Sequence, residues 1–188
     1  MDELYDMQHY RELNGLLESY EHLNSADLLW RRARVQWEII KMEGQSTEIF
    51  ARSERVSQIQ NLVNLVDQAL DLDETNSSAH RWKAILSNAC SSLAGFKDQF
   101  QNLETVKYHL ERAIELDPTD ATSLTLLGAW HMNLLELSTI PKMFVTLFWK
   151  IPDPCSYEEA LELFLKAEEI APNASIANLF YAGKAYFR

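Results

Sequence analysis

Apolar residues recur at helical spacing on both sides of several short polar joints in this chain. Three segments share this layout, namely VDQALDLDETNSSAHRWKAI (66–85), LERAIELDPTDATSLTLLGAW (110–130) and FLKAEEIAPNASIANLFYAGK (164–184). In each, an alanine stands five residues before the turn position and an amphipathic pattern follows at once. Apolar residues three and four positions apart form one face of a helix. Each segment therefore predicts two helices joined by a tight turn.

The joint around Pro118 indicates how one helix ends and the next begins. Proline lacks an amide hydrogen and disfavours helical angles in the residue before it, so we expect the incoming helix to end at Asp117. Thr119 or Asp120 can cap the outgoing helix through a side-chain oxygen. Gly128 costs about 1 kcal/mol relative to alanine in an exposed helix. Its presence therefore predicts a neighbouring helix backbone packed close against it.

These joints resemble the tetratricopeptide pattern, in which a helix reading Ala-x3-Phe-x2-Ala-x4-Pro leads into the next helix. Ala160, Phe164, Ala167 and Pro172 occupy those four positions. A weaker copy surrounds Asn24. We predict an all-α fold, a tetratricopeptide-like superhelix of stacked antiparallel helix pairs with about eight helices.

The repeat units fall roughly at 1–44, 45–95, 96–138 and 139–188, within a single domain of residues 1–188. Their spacing exceeds the usual ~34 residues of a tetratricopeptide repeat. We therefore expect longer helices, or longer connections within each pair, than a standard repeat has.

Cysteine content and targeting signals point to a cytoplasmic protein. Cys90 and Cys155 have no metal-type spacing and favour a reducing compartment. The N-terminus, MDELYDMQHYRE, is acidic and polar, unlike a secretory signal or a transit peptide. The longest apolar run, 143–149, is far shorter than the roughly 20 residues that a membrane span needs. We therefore expect a soluble protein.

Net charge and motif content narrow the class of function. The formal net charge is −11, which disfavours nucleic-acid binding because neutralising phosphates requires clustered lysine and arginine. The sequence contains no HExxH, CxxC, phosphate-loop or GxSxG pattern, and its five histidines are scattered. We expect no catalytic residue, no metal and no cofactor. The interpretation that remains is a non-enzymatic binding module.

A concave face is the first candidate site, because the first helices of stacked pairs line such a surface. Arginine forks bind carboxylates in a bidentate manner, so Arg31, Arg32 and Arg81 suit an acidic peptide tail. The alternative is that these arginines form internal salt bridges within an acidic chain. The repeat register places the following residues on this face: Arg31, Arg32, Val35, Arg81, Trp82, Ile85, Asn88, Leu126, Met132 and Asn133.

The second candidate is the apolar segment TIPKMFVTLFWKIPDP (139–154), which prolines bound on both sides. A helix that is apolar on nearly every side is buried or contacts another surface. One interpretation is a spacer helix packed across the groove or the next hairpin. The other is an acyl-chain cavity or a membrane-touching element, with Lys142 and Lys150 at the interface. Its apolar members are Met143, Phe144, Val145, Leu147, Phe148 and Trp149.

Several motifs in register resemble the regulator of microtubule dynamics family, namely AHRWKAI, LERAIELDPTDATSLTLLGAW, SYEEALELFLKAEEIAPN and LFYAGKAY. The resemblance covers roughly residues 28–188. It implies association with tubulin and microtubules at the spindle and spindle poles, and a role in chromosome segregation. For some members it also implies membrane anchoring through an N-terminal hydrophobic span, contact-site tethering and lipid binding.

These implications set expectations for the charged and terminal residues. A strongly acidic chain is repelled at long range by the acidic microtubule surface. Binding therefore needs a localised basic face such as Arg31, Arg32 and Arg81, an unusually good apolar contact, or a basic segment outside this chain. The sequence shows no N-terminal hydrophobic span, so a lipid-binding or membrane-contact module is the alternative function. Residues 184–188 fall inside what should be a first helix, and we expect its partner helix to be missing from this chain.

Overall fold

The computed structural model describes residues 2–44, 52–136 and 156–188. The chain packs into two compact units, Met1–Gln99 and Phe100–Arg188. In the described ranges every regular element is a helix. The prediction of an all-α fold is therefore confirmed.

The first unit is built mainly from three long helices that follow two short ones. A 3-10 helix at Glu21–Leu23 precedes the first long helix. The short α6 (Phe96–Gln101) includes the boundary between the units. The helices of the first unit are α1 (Asp2–Asp6), α2 (Tyr10–Ser19), α3 (Ala26–Gly44), α4 (Arg52–Leu72) and α5 (Ser77–Ala94).

The second unit contains two pairs of helices joined by tight turns. Helix α8 packs against α7, α9 and α10, so it is the central helix of this unit. The helices are α7 (Leu103–Leu116), α8 (Ala121–Leu135), α9 (Tyr157–Ile170) and α10 (Ile176–Tyr186).

The described residues form ten α-helices, where the sequence predicted about eight. Two breaks between helices that the sequence did not predict coincide with residues of positive φ. Gln8 has a φ of 61° between α1 and α2, and Gly95 has a φ of 144° between α5 and α6. An α-helix cannot continue through such angles, so each break creates a short extra helix.

Small residues allow α3, α4 and α5 to pack closely in the first unit. Ala33, Ala69 and Ala79 are fully buried, and they belong to a core that also contains Trp30 and Val66. Alanine at a helix crossing lets the larger side chains of the neighbouring helix interdigitate. The small residue that recurs before each joint is therefore a packing position.

In the second unit, Phe164 of α9 fills the space above Gly128 of α8. A Cβ built on Gly128 would stand 2.7 Å from Cε1 of the Phe164 ring. The sequence predicted a close contact with a neighbouring helix backbone at this glycine, and that detail is wrong. An aromatic side chain occupies the space, because α9 places its ring at the helix crossing.

The joint chemistry follows the sequence prediction. Helix α7 ends at Leu116 with Asp117 as its C-cap. Asp120 is the N-cap of α8, and its Oδ1 accepts a hydrogen bond of 3.1 Å from the amide of Thr122. Asp117 Oδ1 also accepts the amide and the hydroxyl of Thr119, at 3.0 and 2.6 Å. Thr119 thus belongs to the turn and Asp120 to the cap.

The α4–α5 joint repeats this arrangement without a proline. Asp73 Oδ1 accepts the amide and hydroxyl of Thr75, at 3.0 and 2.7 Å, and Asn76 caps α5 through the amide of Ala79. An aspartate followed two residues later by threonine and then by a capping residue therefore defines both joints. Proline directly after the aspartate makes the turn more rigid, but the turn also forms with Glu74 at that place.

Candidate partner-binding surfaces

The N-terminal ends of α3 and α5 are held together by a hydrogen bond. Nδ2 of Asn76, the N-cap of α5, donates to Oδ1 of Asp27 in the first turn of α3, at 3.0 Å. Nε1 of Trp30 donates to the same oxygen at 2.9 Å. The hydrogen bond from Trp30 is the largest cause, and that from Asn76 the second, of a pKa of Asp27 below its ordinary value. Asp27 is therefore an anionic group that joins the N-terminal turns of α3 and α5.

Arg31 and Arg81 lie about one helical turn further along α3 and α5 than Asp27 and Asn76. Arg31 is five residues into α3 and Arg81 four residues into α5, which places each about 6–8 Å along its helix. The Arg31 guanidinium contacts the Asp27 carboxylate at 3.4 Å and stacks 4.4 Å from the centre of the Trp30 ring. Arg81 contacts the hydroxyl of Ser78 at 3.5 Å. Both side chains are half-buried, with their helices side by side.

Arg32 is held more firmly by the protein itself. Its Nη1 donates to Glu21 Oε1 at 2.7 Å, and the side chain is 21% exposed. Its Nε is buried without a hydrogen-bond partner among the described residues. The alternative interpretation, internal ion pairs within an acidic chain, thus describes Arg31 and Arg32 in the structure. Ion pairs near the surface contribute only about 0–1 kcal/mol, so a partner carboxylate can compete for Arg31.

Three residues that the sequence assigned to the binding face are buried instead. Trp82 belongs to the α3–α4–α5 core, and Val35 packs with Leu13 and Leu17. Met132 is fully buried beside Phe164. The prediction that these three residues lie on a partner surface is wrong. Each helix packs against neighbours on more than one side, and the repeat register does not show which side is covered.

The remaining predicted residues are accessible, but they divide between the two units. Asn88 is exposed on α5 and Ile85 is half-buried against the first core. In the second unit, Asn133 is exposed near the end of α8 and Leu126 is half-buried. In the first unit, Arg31, Arg32 and Arg81 lie in the first two turns of α3 and α5. We call these three residues the arginine face.

Leu126 borders a cleft of about 250 Å³ in the second unit. The cleft lies between the N-terminal turns of α8 and α10 and the C-terminal end of α9, and alanines form five of its eleven lining positions. Its lining comprises Ala121, Thr122, Thr125, Leu126, Ala167, Glu168, Ala171, Ala174, Ser175, Ala177 and Asn178.

Asn178, at the floor of this cleft, was not predicted from the sequence. It is 2% exposed, and its Oδ1 accepts a hydrogen bond from Thr125 Oγ1 at 3.0 Å. Its Nδ2 donates to the Phe164 carbonyl at 3.0 Å and to Glu168 Oε2 at 3.3 Å. One asparagine therefore connects α8, α9 and α10. In the sequence, the signal for a buried polar residue here was an asparagine in the first turn of a largely apolar helix.

The apolar segment on which the lipid interpretation depended lies outside the described residues. Within the described ranges, no helix is both long and apolar enough to cross a bilayer. No group of three or more histidine, cysteine or acidic side chains in the same ranges has the geometry of a metal site. The undescribed residues of the lipid interpretation are Met143, Phe144, Leu147, Phe148 and Trp149.

The antiparallel helix pairs, the alanine and phenylalanine positions of α9 and the capped joints define a tetratricopeptide-like protein. Two solved structures support this class. The structure titled "Crystal structure of MamA" aligns with a TM-score of 0.58 at 14% identity, over 99% of this chain and 82% of that chain. YrrB, described as "a TPR protein with an unusual peptide-binding site", aligns with a TM-score of 0.52 at 17% identity, over 96% and 69%.

Sequence comparison gives the family. The family described as Regulator of microtubule dynamics protein 1-3 matches residues 1–188. Regulator of microtubule dynamics protein 1 of Mus musculus is 34% identical over 187 residues, which cover 100% of this chain and 60% of the relative. For the Bos taurus protein the identity is 33%, with coverage of 100% and 57%. The chain belongs to the regulator of microtubule dynamics family.

Regulator of microtubule dynamics protein 3 of Rattus norvegicus is a more distant relative, 31% identical over 85% of this chain and 33% of its own length. The chain thus spans about three fifths of the length of the first relatives and a third of this one.

Proposed function

We propose that this chain is a non-enzymatic module that binds microtubules, with a role in spindle microtubule behaviour and chromosome segregation. The name that its relatives share, regulator of microtubule dynamics, supports the microtubule target. The location that follows from this target is the cytoplasmic cytoskeleton, at the spindle and spindle poles. The partner is tubulin, contacted through its acidic peptide tails.

The arginine face carries this proposal. Arg31 and Arg81 stand at the same level of neighbouring helices, on a chain of net charge −11. Two guanidinium groups on adjacent helices can engage successive carboxylates of an acidic tail. Arg31 would exchange its contact with Asp27 for such a carboxylate. Arg32 would serve mainly to anchor α3 through Glu21, because its side chain is largely enclosed.

Long-range repulsion limits how the two acidic partners meet. A chain of net charge −11 is repelled by an acidic filament, and repulsion slows encounter more than it weakens a short-range contact. Binding then depends on the local arginine contacts, which added salt weakens.

Co-sedimentation with taxol-stabilised microtubules tests the proposal. The test variant is Arg31→Glu with Arg81→Glu. The matched control is Arg11→Glu with Arg112→Glu, which removes the same positive charge from α2 and α7. We expect the test variant to bind at least about tenfold more weakly than the parent, and the control to bind within a small factor of it. Equal weakening of both variants would assign binding to net charge alone.

The lipid-binding or membrane-contact module remains the alternative function. Liposome flotation of the same parent protein separates the two. Flotation with neutral vesicles together with absent co-sedimentation would favour the lipid alternative and contradict the microtubule proposal.

A further inference from the structure

The cleft of about 250 Å³ belongs to the second unit, whereas the arginine face belongs to the first. Three helices form it, through the N-terminal turns of α8 and α10 and the C-terminal end of α9. Residues 137–155 attach to the opposite ends of α8 and α9. The cleft is smaller than the roughly 300–1,000 Å³ of small-molecule sites, so its size suits a single side chain of a partner.

The floor of the cleft offers more hydrogen-bond acceptors than donors. Thr125 Oγ1 lies 2.9 Å from the Ala121 carbonyl and 3.0 Å from Asn178 Oδ1, although a hydroxyl has a single hydrogen to donate. Nδ2 of Asn178 already donates to the Phe164 carbonyl and to Glu168 Oε2. Thr125 Oγ1 and Asn178 Oδ1 therefore keep lone pairs that a ligand can use, and both residues line the cleft.

Glu168 adds a negative charge to these acceptors. Its Oε1 accepts a hydrogen bond from the amide of Asn173 at 2.7 Å, and its Oε2 accepts one from Asn178 Nδ2 at 3.3 Å. Both partners are neutral, so they do not offset the charge. A carboxylate has about four acceptor positions, so about two remain for a further donor. The half-buried side chain lies in the last turn of α9, at the negative end of the helix dipole.

An anion fits this cleft less well than a cation. The two helices whose N-terminal turns border it already have side-chain caps, Asp120 for α8 and Ser175 for α10. The carboxylate of Asp120 also offsets the positive end of the α8 dipole. At long range, the net charge of −11 attracts a cationic partner and repels an anionic one. The group that satisfies this floor is therefore a cation with several hydrogens to donate.

We propose that this cleft binds a lysine side chain on the surface of a partner protein. The ammonium group donates its three hydrogens to Glu168, Thr125 Oγ1 and Asn178 Oδ1. The aliphatic stem lies against the alanine walls, since lysine stems cover apolar surface. The planar guanidinium of arginine matches paired acceptors in one plane and suits this floor less well. The alanines of the walls are Ala121, Ala167, Ala171, Ala174 and Ala177.

Nuclear magnetic resonance of the nitrogen-15-labelled chain tests the proposal. The probe is acetyl-lysine-methylamide, and acetyl-norleucine-methylamide is the control ligand, which has the aliphatic stem without the ammonium group. We expect the probe to shift the backbone amide of Thr122 and the side-chain amide of Asn178 in a saturable manner. For a ligand of this size, the dissociation constant should be on the order of 1 mM. The norleucine derivative should cause no saturable shift.

Three results would overturn the proposal. The first is equal binding of the norleucine derivative, which would show that the ammonium group makes no contact. The second is binding of acetyl-arginine-methylamide at least as tight as that of the lysine derivative. The third is a set of shifts spread over acidic residues outside the cleft, which would indicate non-specific attraction to the chain.

Glu168→Gln removes the charge but keeps an oxygen for Asn178 Nδ2, and it should raise the dissociation constant of the probe at least about fivefold. Glu169→Gln is the matched control, because it removes the same charge from an exposed neighbouring position of α9. It should bind the probe within about twofold of the parent. Equal weakening by both variants would assign binding to net charge and contradict the cleft.

Ala171→Leu provides a second variant that leaves every charge in place. The larger side chain narrows the cleft at the C-cap of α9, so it should weaken binding of the probe by a similar factor. The amide spectrum of each variant without ligand checks that the fold is intact. Undiminished binding by a folded Ala171→Leu variant would contradict the cleft as the site.

Discussion

The phenyl ring of Phe164 lies against the backbone of Gly128, with its Cε1 atom 2.7 Å from the point where a Cβ on Gly128 would stand. Phe164 is fully buried and stacks on Tyr181 at 5.8 Å between ring centres. The ring therefore has little room to move aside. This contact joins a glycine of α8 to an aromatic residue of α9, the first helix of the next pair.

Substituting alanine for Gly128 of α8 and for Gly183 of α10 should have opposite effects on the free energy of unfolding. Gly128→Ala should destabilise the protein by about 1–3 kcal/mol through overpacking, although alanine has the higher helix propensity. Gly183→Ala should stabilise it by up to about 1 kcal/mol, because alanine favours helix and nothing lies close. Urea denaturation followed by circular dichroism measures both values. Destabilisation by Gly183→Ala would show that its surroundings are filled.

Sequence reasoning succeeded where structure is decided locally. Asp117 and Asp120 were placed correctly because turn and cap hydrogen bonds join residues two or three positions apart. It was wrong about Trp82 and Met132 because α5 and α8 bury more than one face, and helical periodicity does not state which neighbour covers which face. Asn178 was missed for a related reason, since its partner Thr125 is 53 positions away.

Removing the Asn178 amide should weaken the junction of α8, α9 and α10. Asn178→Ala deletes three side-chain hydrogen bonds at a buried site and leaves Glu168 Oε2 with one partner fewer. We expect a loss of about 1–3 kcal/mol in the free energy of unfolding. Asn133→Ala, an exposed asparagine of α8, should change it by less than about 0.5 kcal/mol. Equal effects would contradict a structural role for the buried amide.

Protonation of His131 should couple stability to pH. Burial, aided by the charge of Lys107, lowers the pKa of His131 from 6.5 to about 4. The unfolded chain therefore takes up a proton on this group at higher pH than the folded protein does. The contribution of neutral His131 to stability is complete above pH 6.5 and is lost as the pH falls from 6.5 towards 4.

Denaturant titrations at pH 7 and pH 5 measure this coupling. The parent should be less stable at pH 5, and His131→Gln, which cannot be protonated, should reduce the difference between the two pH values. An unchanged difference would show that His131 takes up its proton equally well in the folded and unfolded states.

The arginine face should give salt-dependent binding to an acidic peptide. For a glutamate-rich tail peptide, raising the salt concentration from about 50 to 200 mM should weaken binding by roughly three- to tenfold, because the contacts are partly exposed ion pairs. Fluorescence anisotropy of the labelled peptide provides the measurement. Affinity that is independent of salt would indicate apolar contacts and exclude the arginine face as the main determinant.

Binding to microtubules with and without their acidic tails shows directly whether the arginine face contacts those tails. Co-sedimentation yields a dissociation constant for the parent on intact filaments and on filaments whose tails have been removed by limited proteolysis. We expect tail removal to weaken binding of the parent by about tenfold or more, and to have little further effect on Arg31→Glu with Arg81→Glu. Equal affinity of the parent for both kinds of filament, or an undiminished tail effect in the variant, would contradict a contact between the arginine face and the tails.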